Sequence, residues 1–168
     1  RGHIYPVFDH AMVTATRALI AKADIITPNL TEAALLLGQP YETLPAGEAG
    51  LREITERLSL GGRRSVVLTG ASLAPGRTGA VCFDARTGKT EAVQTAYVAH
   101  EFHGTGDVFS SVLTGALVRG ESLSSAAGEA AAFVRACAER TAAEDLPMRE
   151  GVDFEPLLGL LIPGKETV

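Results

Sequence analysis

Long apolar runs are missing from this 168-residue sequence. Nothing in it approaches the roughly 18 consecutive apolar residues that a membrane helix needs, so no spanning segment is expected. Clustered positive charge is missing as well. The fifteen Lys and Arg residues are scattered, Arg63-Arg64 is the densest spot, and the net charge is -5. A nucleic-acid surface is therefore not expected, because phosphate backbones need grouped Lys and Arg. Cysteine is scarce: Cys82 lies in a strand-like stretch and Cys137 in a helix-like one. Two such thiols read as small buried hydrophobes in a reducing compartment, which favours a cytoplasmic location. Internal repeats and low-complexity segments are absent too. The opening Arg1-Gly2-His3-Ile4-Tyr5-Pro6 is neither a signal peptide nor an initiator methionine. It reads as the middle of something longer, with no strand before the first helix.

What is present is ordinary globular composition, 46% apolar and 21% charged. The length suits one domain with a real core, and no domain boundary is read along it. Asp9 to Lys22 carries Met12, Thr16 and Leu19 on one helical stripe with Val13 and Ile20 beside it, and Asp9 as N-cap. A short strand is expected over Ala23 to Thr27, stopped by Pro28. A helix follows from Leu30 to Leu37, ending at Gly38. After a loop with two prolines, Glu48 to Leu60 is helical and Gly61-Gly62 stops it. Ser65 to Thr69 is a compact β-branched run, suited to a strand covered on both faces. Gly79 to Asp84 and Thr90 to Thr95 flank a Gly-containing loop and predict a hairpin. Val108 to Val118 is apolar nearly all round, which predicts a buried helix. Ser122 to Ala142 is a long Ala-rich helix, and the tail from Asp153 adds another turn or two. Strands alternating with whole helices imply βαβ units, and hence an α/β fold with a mostly parallel sheet and helices on both faces.

In such sheets ligands bind at the carboxyl ends of strands. Three candidate features fall there: Asn29-x-x-Glu32, Thr69-Gly70, and His103-Gly104-Thr105-Gly106-Asp107. Glycines at 104 and 106 allow φ > 0 and a close backbone approach by a ligand. The amides of Thr105, Gly106 and Asp107 would then form an anion nest at a helix start. An acid inside that nest fits a general base acting on a substrate hydroxyl; the plain alternative is a Gly-rich turn with Asp107 as N-cap. Asn29 and Glu32 likewise have two readings. They form a capping box, or they hold Mg²⁺ through water, since that ion takes few protein ligands. His103 is a candidate at the nucleotide border or a loop histidine without a role.

Several partial motifs are set aside. Gly159 to Lys165 matches GxxxxGK, but Glu166 stands where Ser or Thr is needed. His100-Glu101-Phe102-His103 is one residue short of HExxH, so its histidines would not share a helix face. GTGDVF lacks the last glycine of a dinucleotide fingerprint, and no Ser-centred nucleophile elbow is present.

Together, ADIITPNLTEAALLLG (Ala23 to Gly38), SVVLTG (Ser65 to Gly70) and HGTGDVFSSVLTGAL (His103 to Leu117) resemble the ribokinase (PfkB-like) superfamily, and within it the pyridoxal/pyridoxamine kinases. The opening GHIY resembles the segment after an Asp-Pro-Val-containing strand of those enzymes. The resemblance covers nearly the whole chain. It implies a ribokinase-like three-layer sandwich, of which residues 1–168 would be the C-terminal ATP-binding and catalytic portion. It implies ATP and Mg²⁺ as cofactors, a B6 vitamer as small-molecule substrate phosphorylated on its hydroxymethyl group, and usually a homodimer. Asp107 would be the base, with the Gly104, Thr105 and Gly106 turn around the transferring phosphoryl group. Asn29 and Glu32 would serve metal and phosphates, and Thr69, Gly70 and His103 the nucleotide. Roughly the first third or more of such a kinase, with the substrate-gripping residues and the lid, would be missing. The related hydroxymethylpyrimidine (phosphate) kinases often have Cys where this sequence has Asp107, so the Asp favours the pyridoxal side. An inactive nucleotide- or phosphate-binding fragment is the non-enzymatic alternative.

Overall fold

The computed structural model describes residues 10–99, 102–144 and 151–162. The expected Asp9 cap and the HExxH-like histidine at position 100 lie outside them. The chain divides into two compact units, Arg1–Pro75 with Gly79–Ala92, and Gly76–Thr78 with Val93–Val168.

In the first unit, α1 spans His10–Ile20. It leads to β1, which is only Ile25–Ile26, shorter than the expected Ala23 to Thr27. Pro28 has no N–H to give, so the ladder toward the next strand breaks and resumes as an isolated parallel bridge between Asn29 and Thr69. Helix α2 spans Leu30–Leu37 and closes at Gly38 in the left-handed region, as the sequence predicts. The proline-containing loop holds a single 3₁₀ turn, Tyr41–Thr43. Helix α3 spans Gly47–Leu58, two residues short of the expected Leu60. Leu60, Gly61 and Gly62 all have positive φ, 56°, 72° and 80°, and left-handed residues cannot continue a right-handed helix.

The strand β2, Ser65–Thr69, is buried over its first four residues, which explains its unbroken β-branched run. It pairs parallel with β1, Ile25 opposite Ser65 and Ile26 opposite Val66. On its other side lies β3, Arg77–Asp84, antiparallel, with Val66 opposite Phe83 and Thr69 opposite Ala80. The hairpin partner β4 spans Lys89–Ala96, and the sheet order is β1-β2-β3-β4. The sheet over this span is therefore mixed, with its parallel pairing at β1–β2. Ile26, Ala33, Leu51, Ile54, Leu58, Val66, Leu68 and Val81 form the core here. Arg64 is buried beside it, its Nε bonding Leu58 O at 2.8 Å and its NH1 bonding Ile20 O at 2.7 Å. One guanidinium thus satisfies the last residues of two helices, where carbonyls lack intrahelical partners; burial lowers its pKa from the usual value.

The second unit is built on α4, Thr105–Val118, and α5, Leu123–Ala143, which pack on each other. Ser122 caps α5 by accepting from Ser125 N at 3.2 Å. Phe109, Val112, Leu113 and Ala116 of α4 are buried, as are Ala126, Ala127, Ala130, Phe133 and Cys137 of α5. The expectation that α4 is buried all round is corrected: Ser111 and Thr114 are exposed and Val118 is 83% exposed. The helix buries its Phe109, Val112, Leu113 and Ala116 face, while the hydroxyl residues Ser111 and Thr114 within the apolar run lie off that face. The tail forms a 3₁₀ segment, Glu155–Leu161. Cys82 and Cys137 are both free and buried.

Candidate functional site

The carboxyl ends of β1 and β2, in the first unit, carry one group of candidate residues. Because β1 and β2 run parallel, both chains leave the sheet at the same edge. There Thr69 N donates to Pro28 O at 2.9 Å, with the Thr69 hydroxyl 3.4 Å from the same oxygen. That pairing fixes Pro28 just before α2 begins. Asn29 is extended, with φ −81° and ψ 175°, and caps the helix. Its Oδ1 accepts from Glu32 N at 2.9 Å, and Glu32 Oε2 accepts from Asn29 N at 2.9 Å. The capping reading is thus realised. Both residues are exposed, and each box bond uses one terminal atom. Thr69 is half-buried, while Gly70 is exposed with φ 68° and open space where a Cβ would stand.

A single carboxylate with a neighbouring amide fits Mg²⁺ held through water and shared with phosphates, the usual arrangement for that ion. It does not fit a cage of protein ligands. Among the described residues no group of three or more His, Cys, Asp or Glu side chains converges.

The other group of candidates, in the second unit, lies at the start of α4. Gly104 is its N-cap, at φ 80°, and gives no side-chain cap bond. Such a conformation suits glycine, and nothing lies within 4 Å of where its Cβ would be. The first helical bond runs from Val108 N to Gly104 O at 3.0 Å. The amides of Thr105, Gly106 and Asp107 therefore precede the hydrogen-bonded ladder, at the positive end of the helix dipole. Two expectations change here. Gly106 is helical and is not among the positive-φ glycines, so its value lies in the missing side chain, over which space is open. Asp107 is the third residue of α4 and not its N-cap. Its carboxylate is exposed, while its backbone oxygen accepts from Ser111 Oγ at 2.8 Å.

His103 is exposed, and its backbone does the structural work: His103 O accepts from Val152 N at 3.2 Å. A Cβ on Gly151 would come within 3.3 Å of that oxygen. Behind Asp107 lies a cavity of about 330 Å³. Its walls include Val108 and Val112 of α4, Phe133 of α5, and Phe154, Leu158 and Leu161 of the tail. The sequence pattern did not point to this tail wall, because a 3₁₀ segment carries no 3.6-residue periodicity to find. Arg119 and Glu129 also line it, with Arg119 NH2 donating to both Glu129 carboxylate oxygens at 2.8 and 2.6 Å.

Comparison with known proteins places this geometry. The family model described as phosphomethylpyrimidine kinase matches residues 5–151. A pyridoxine/pyridoxal/pyridoxamine kinase from Bordetella bronchiseptica is 36% identical over 157 residues, covering 84% of this chain and 52% of the relative. A Bacteroides thetaiotaomicron structure described as a phosphomethylpyrimidine kinase, in a form with pyridoxal, superposes with a TM-score of 0.88 at 34% identity. That match covers 99% of this chain and 59% of that one. Pyridoxal kinase from Lactobacillus plantarum gives a TM-score of 0.80 at 32% identity, over 95% of this chain and 56% of that one. The chain thus spans about half the length of the curated relatives it matches. The mixed sheet with its helices is a partial span of the ribokinase-like fold, and the chain belongs to the phosphomethylpyrimidine kinase family, in the ribokinase-like group that includes the pyridoxal kinases.

Proposed function

We propose that this chain carries the nucleotide-phosphate and catalytic portion of an ATP-dependent kinase that phosphorylates the hydroxymethyl group of a B6 vitamer to its 5′-phosphate. The observation that carries the reading is the α4 start. An exposed carboxylate stands on the third residue of a helix whose first three amides lie outside the hydrogen-bonded ladder. Phosphoryl transfer asks for little covalent chemistry and much charge stabilisation and positioning. In this reading Asp107 accepts the proton of the substrate hydroxyl as its oxygen attacks the γ-phosphoryl group. The amides of Thr105, Gly106 and Asp107 stabilise the charge on the transferring oxygens, and the bare Gly104 and Gly106 backbone lets them come close. Glu32 and Asn29 hold Mg²⁺ through water beside the phosphates. When bound, that ion neutralises charge on the β- and γ-oxygens. Thr69 and Gly70 contact the phosphates, and His103 borders the nucleotide. We also take residues 1–168 as one functional portion of the kinase domain, and the whole protein as a cytoplasmic homodimer.

The relatives support two substrates. The curated relatives are named for B6 vitamers, while the family model is described by a phosphorylated pyrimidine. Hydroxymethylpyrimidine is therefore the second reading. ADP release from the protein carrying this chain, measured with pyridoxal, pyridoxamine, pyridoxine and hydroxymethylpyrimidine, separates them. Turnover with the vitamers and not the pyrimidine is expected. The reverse preference moves the protein to pyrimidine phosphorylation, and ADP release with none of them removes the kinase reading.

A further inference from the structure

Within the second unit, the short strap Gly151 to Asp153 is tied on two sides. On one side the buried Val152 donates its N–H to His103 O at 3.2 Å. On the other, Asp153 is fastened to the last turn of α5. Its backbone N–H donates to Thr141 Oγ1 at 2.9 Å, and its Oδ2 accepts from Arg140 Nε at 2.7 Å. Thr141 is buried, and its hydroxyl also donates to Cys137 O at 2.7 Å. Arg140 is held in turn by Glu144, NH2 to Oε1 at 2.5 Å. Gly151 stands at φ 78° and bears no Cβ to crowd His103 O, so glycine suits this close approach.

His103 O belongs to the peptide that joins His103 to Gly104. In a trans peptide the C=O and N–H point in opposite directions, so Val152 also sets the direction of the Gly104 N–H, away from the strap. Gly104 has φ 80° and makes no side-chain cap bond. Neither a Cβ nor a cap therefore fixes this peptide from its own side, and the first amides of α4 follow directly from it. We propose that Asp153 is a positioning residue for the start of α4. Held by Arg140 and Thr141, and acting through Val152, it fixes the His103–Gly104 peptide and so aims the amides of Gly104, Thr105 and Gly106 at the transferring phosphoryl group. The inference rests on the kinase reading and deepens it, by naming what aims the amides. Stabilisation by fixed dipoles needs that aim set before reaction. The side chains of Arg140 and Asp153 are 38% and 20% exposed, and an ion pair this open to water adds little to stability.

The test uses the protein that carries this chain, assayed with the preferred of the four substrates above. Asp153→Ala is expected to lower kcat by about 10–100-fold, the cost of a misaimed donor, with KM for that substrate and for ATP close to the parent's. Asp153→Asn keeps an oxygen for Arg140 Nε, so its kcat is expected to stay close to the parent's. The backbone amide shifts of Gly104 and Thr105 move in Asp153→Ala and not in Asp153→Asn. Circular dichroism at the assay temperature gives the folded fraction of each variant. Parental kcat in Asp153→Ala overturns the proposal. So does a loss of kcat no larger than the loss of folded protein, and so does an Asp153→Asn variant as slow as Asp153→Ala. A parent without turnover fails the kinase reading itself and takes this role with it, whereas an active parent with an unaffected Asp153→Ala fails only the positioning role.

Discussion

Asn29 and Glu32 hold each other: the side chain of each accepts the backbone N–H of the other, both at 2.9 Å. The residues proposed to serve a metal are thus already committed as a helix cap. The two roles differ in which atom matters, and that separates them experimentally.

Glu32→Gln keeps an acceptor for the Asn29 amide and removes the charge. Its thermal stability is expected to stay close to the parent's, while the Mg²⁺ concentration for half-maximal turnover rises. Asn29→Ala instead removes the cap and should cost about 1 kcal/mol in urea unfolding. If the Glu32→Gln Mg²⁺ titration overlays the parent curve, Glu32 is a cap and nothing more.

Asp107→Asn is expected to lower kcat by about 10²–10⁴, the span of a lost general base, with nucleotide affinity retained. Asp107 is exposed and makes no side-chain cap bond, so the fold should not suffer. Calorimetric titration with ADP gives the affinity and a coupled assay gives kcat. Near-normal turnover would take Asp107 out of the mechanism.

Gly50 lies buried in α3, where its missing Cβ would meet the Pro45 backbone carbon at 2.5 Å and its oxygen at 2.7 Å. Helix propensity alone favours Ala over Gly by about 1 kcal/mol. Gly50→Ala is nevertheless expected to destabilise, by about 1–3 kcal/mol, because the clash is with backbone and not with a flexible side chain. A denaturant midpoint equal to or above the parent's would show that the loop ahead of α3 yields freely.

Burial pushes the Cys82 thiol up to about 12, with Glu91 adding to the rise, and the Cys137 thiol up to about 11, with Asp153 adding. Since the thiolate is the reactive species, both should label about a hundredfold or more slowly at pH 8 in the folded chain than in urea. The same shifts set a sign for stability. Unfolded thiols ionise near 9.0 and the folded ones only near 11 and 12. Their contribution is complete below pH 9 and falls as pH rises beyond it. Urea midpoints between pH 7 and 10.5 check this, and a midpoint that climbs above pH 9 would contradict it.

Elements whose signals are local were legible without coordinates. The bounds of α2, Leu30 to Leu37, followed from Asn29 as cap and Gly38 as stop, and β2 from its β-branched run. Elements that depend on a partner were not. The extent of β1 is set by where β2 can meet it across Pro28, so five expected residues became two and a bridge. The start of α4 at Thr105 was legible from the glycine turn, although its hydrophobic run begins only at Val108. The exposed residues of α4, Ser111, Thr114 and Val118, stand in or at the end of an apolar run, and only the packing of α5 says which side of that run is covered.

By itself the sequence determined the α/β alternation, the carboxyl-end positions of Asn29, Glu32, Thr69 and Gly70, and the glycine turn before Asp107, since caps, turns and strand runs are written in neighbouring residues. The tertiary structure alone decided that Thr69 clamps Pro28, that Asp107 stands inside the first turn with its carboxylate outward, and that β1 ends the described sheet beside an open apolar groove. The first and last of these depend on contacts between segments distant along the chain, where the free energy of pairing and burial, and not local propensity, selects the outcome, while the place of Asp107 follows from the backbone turn at Gly104.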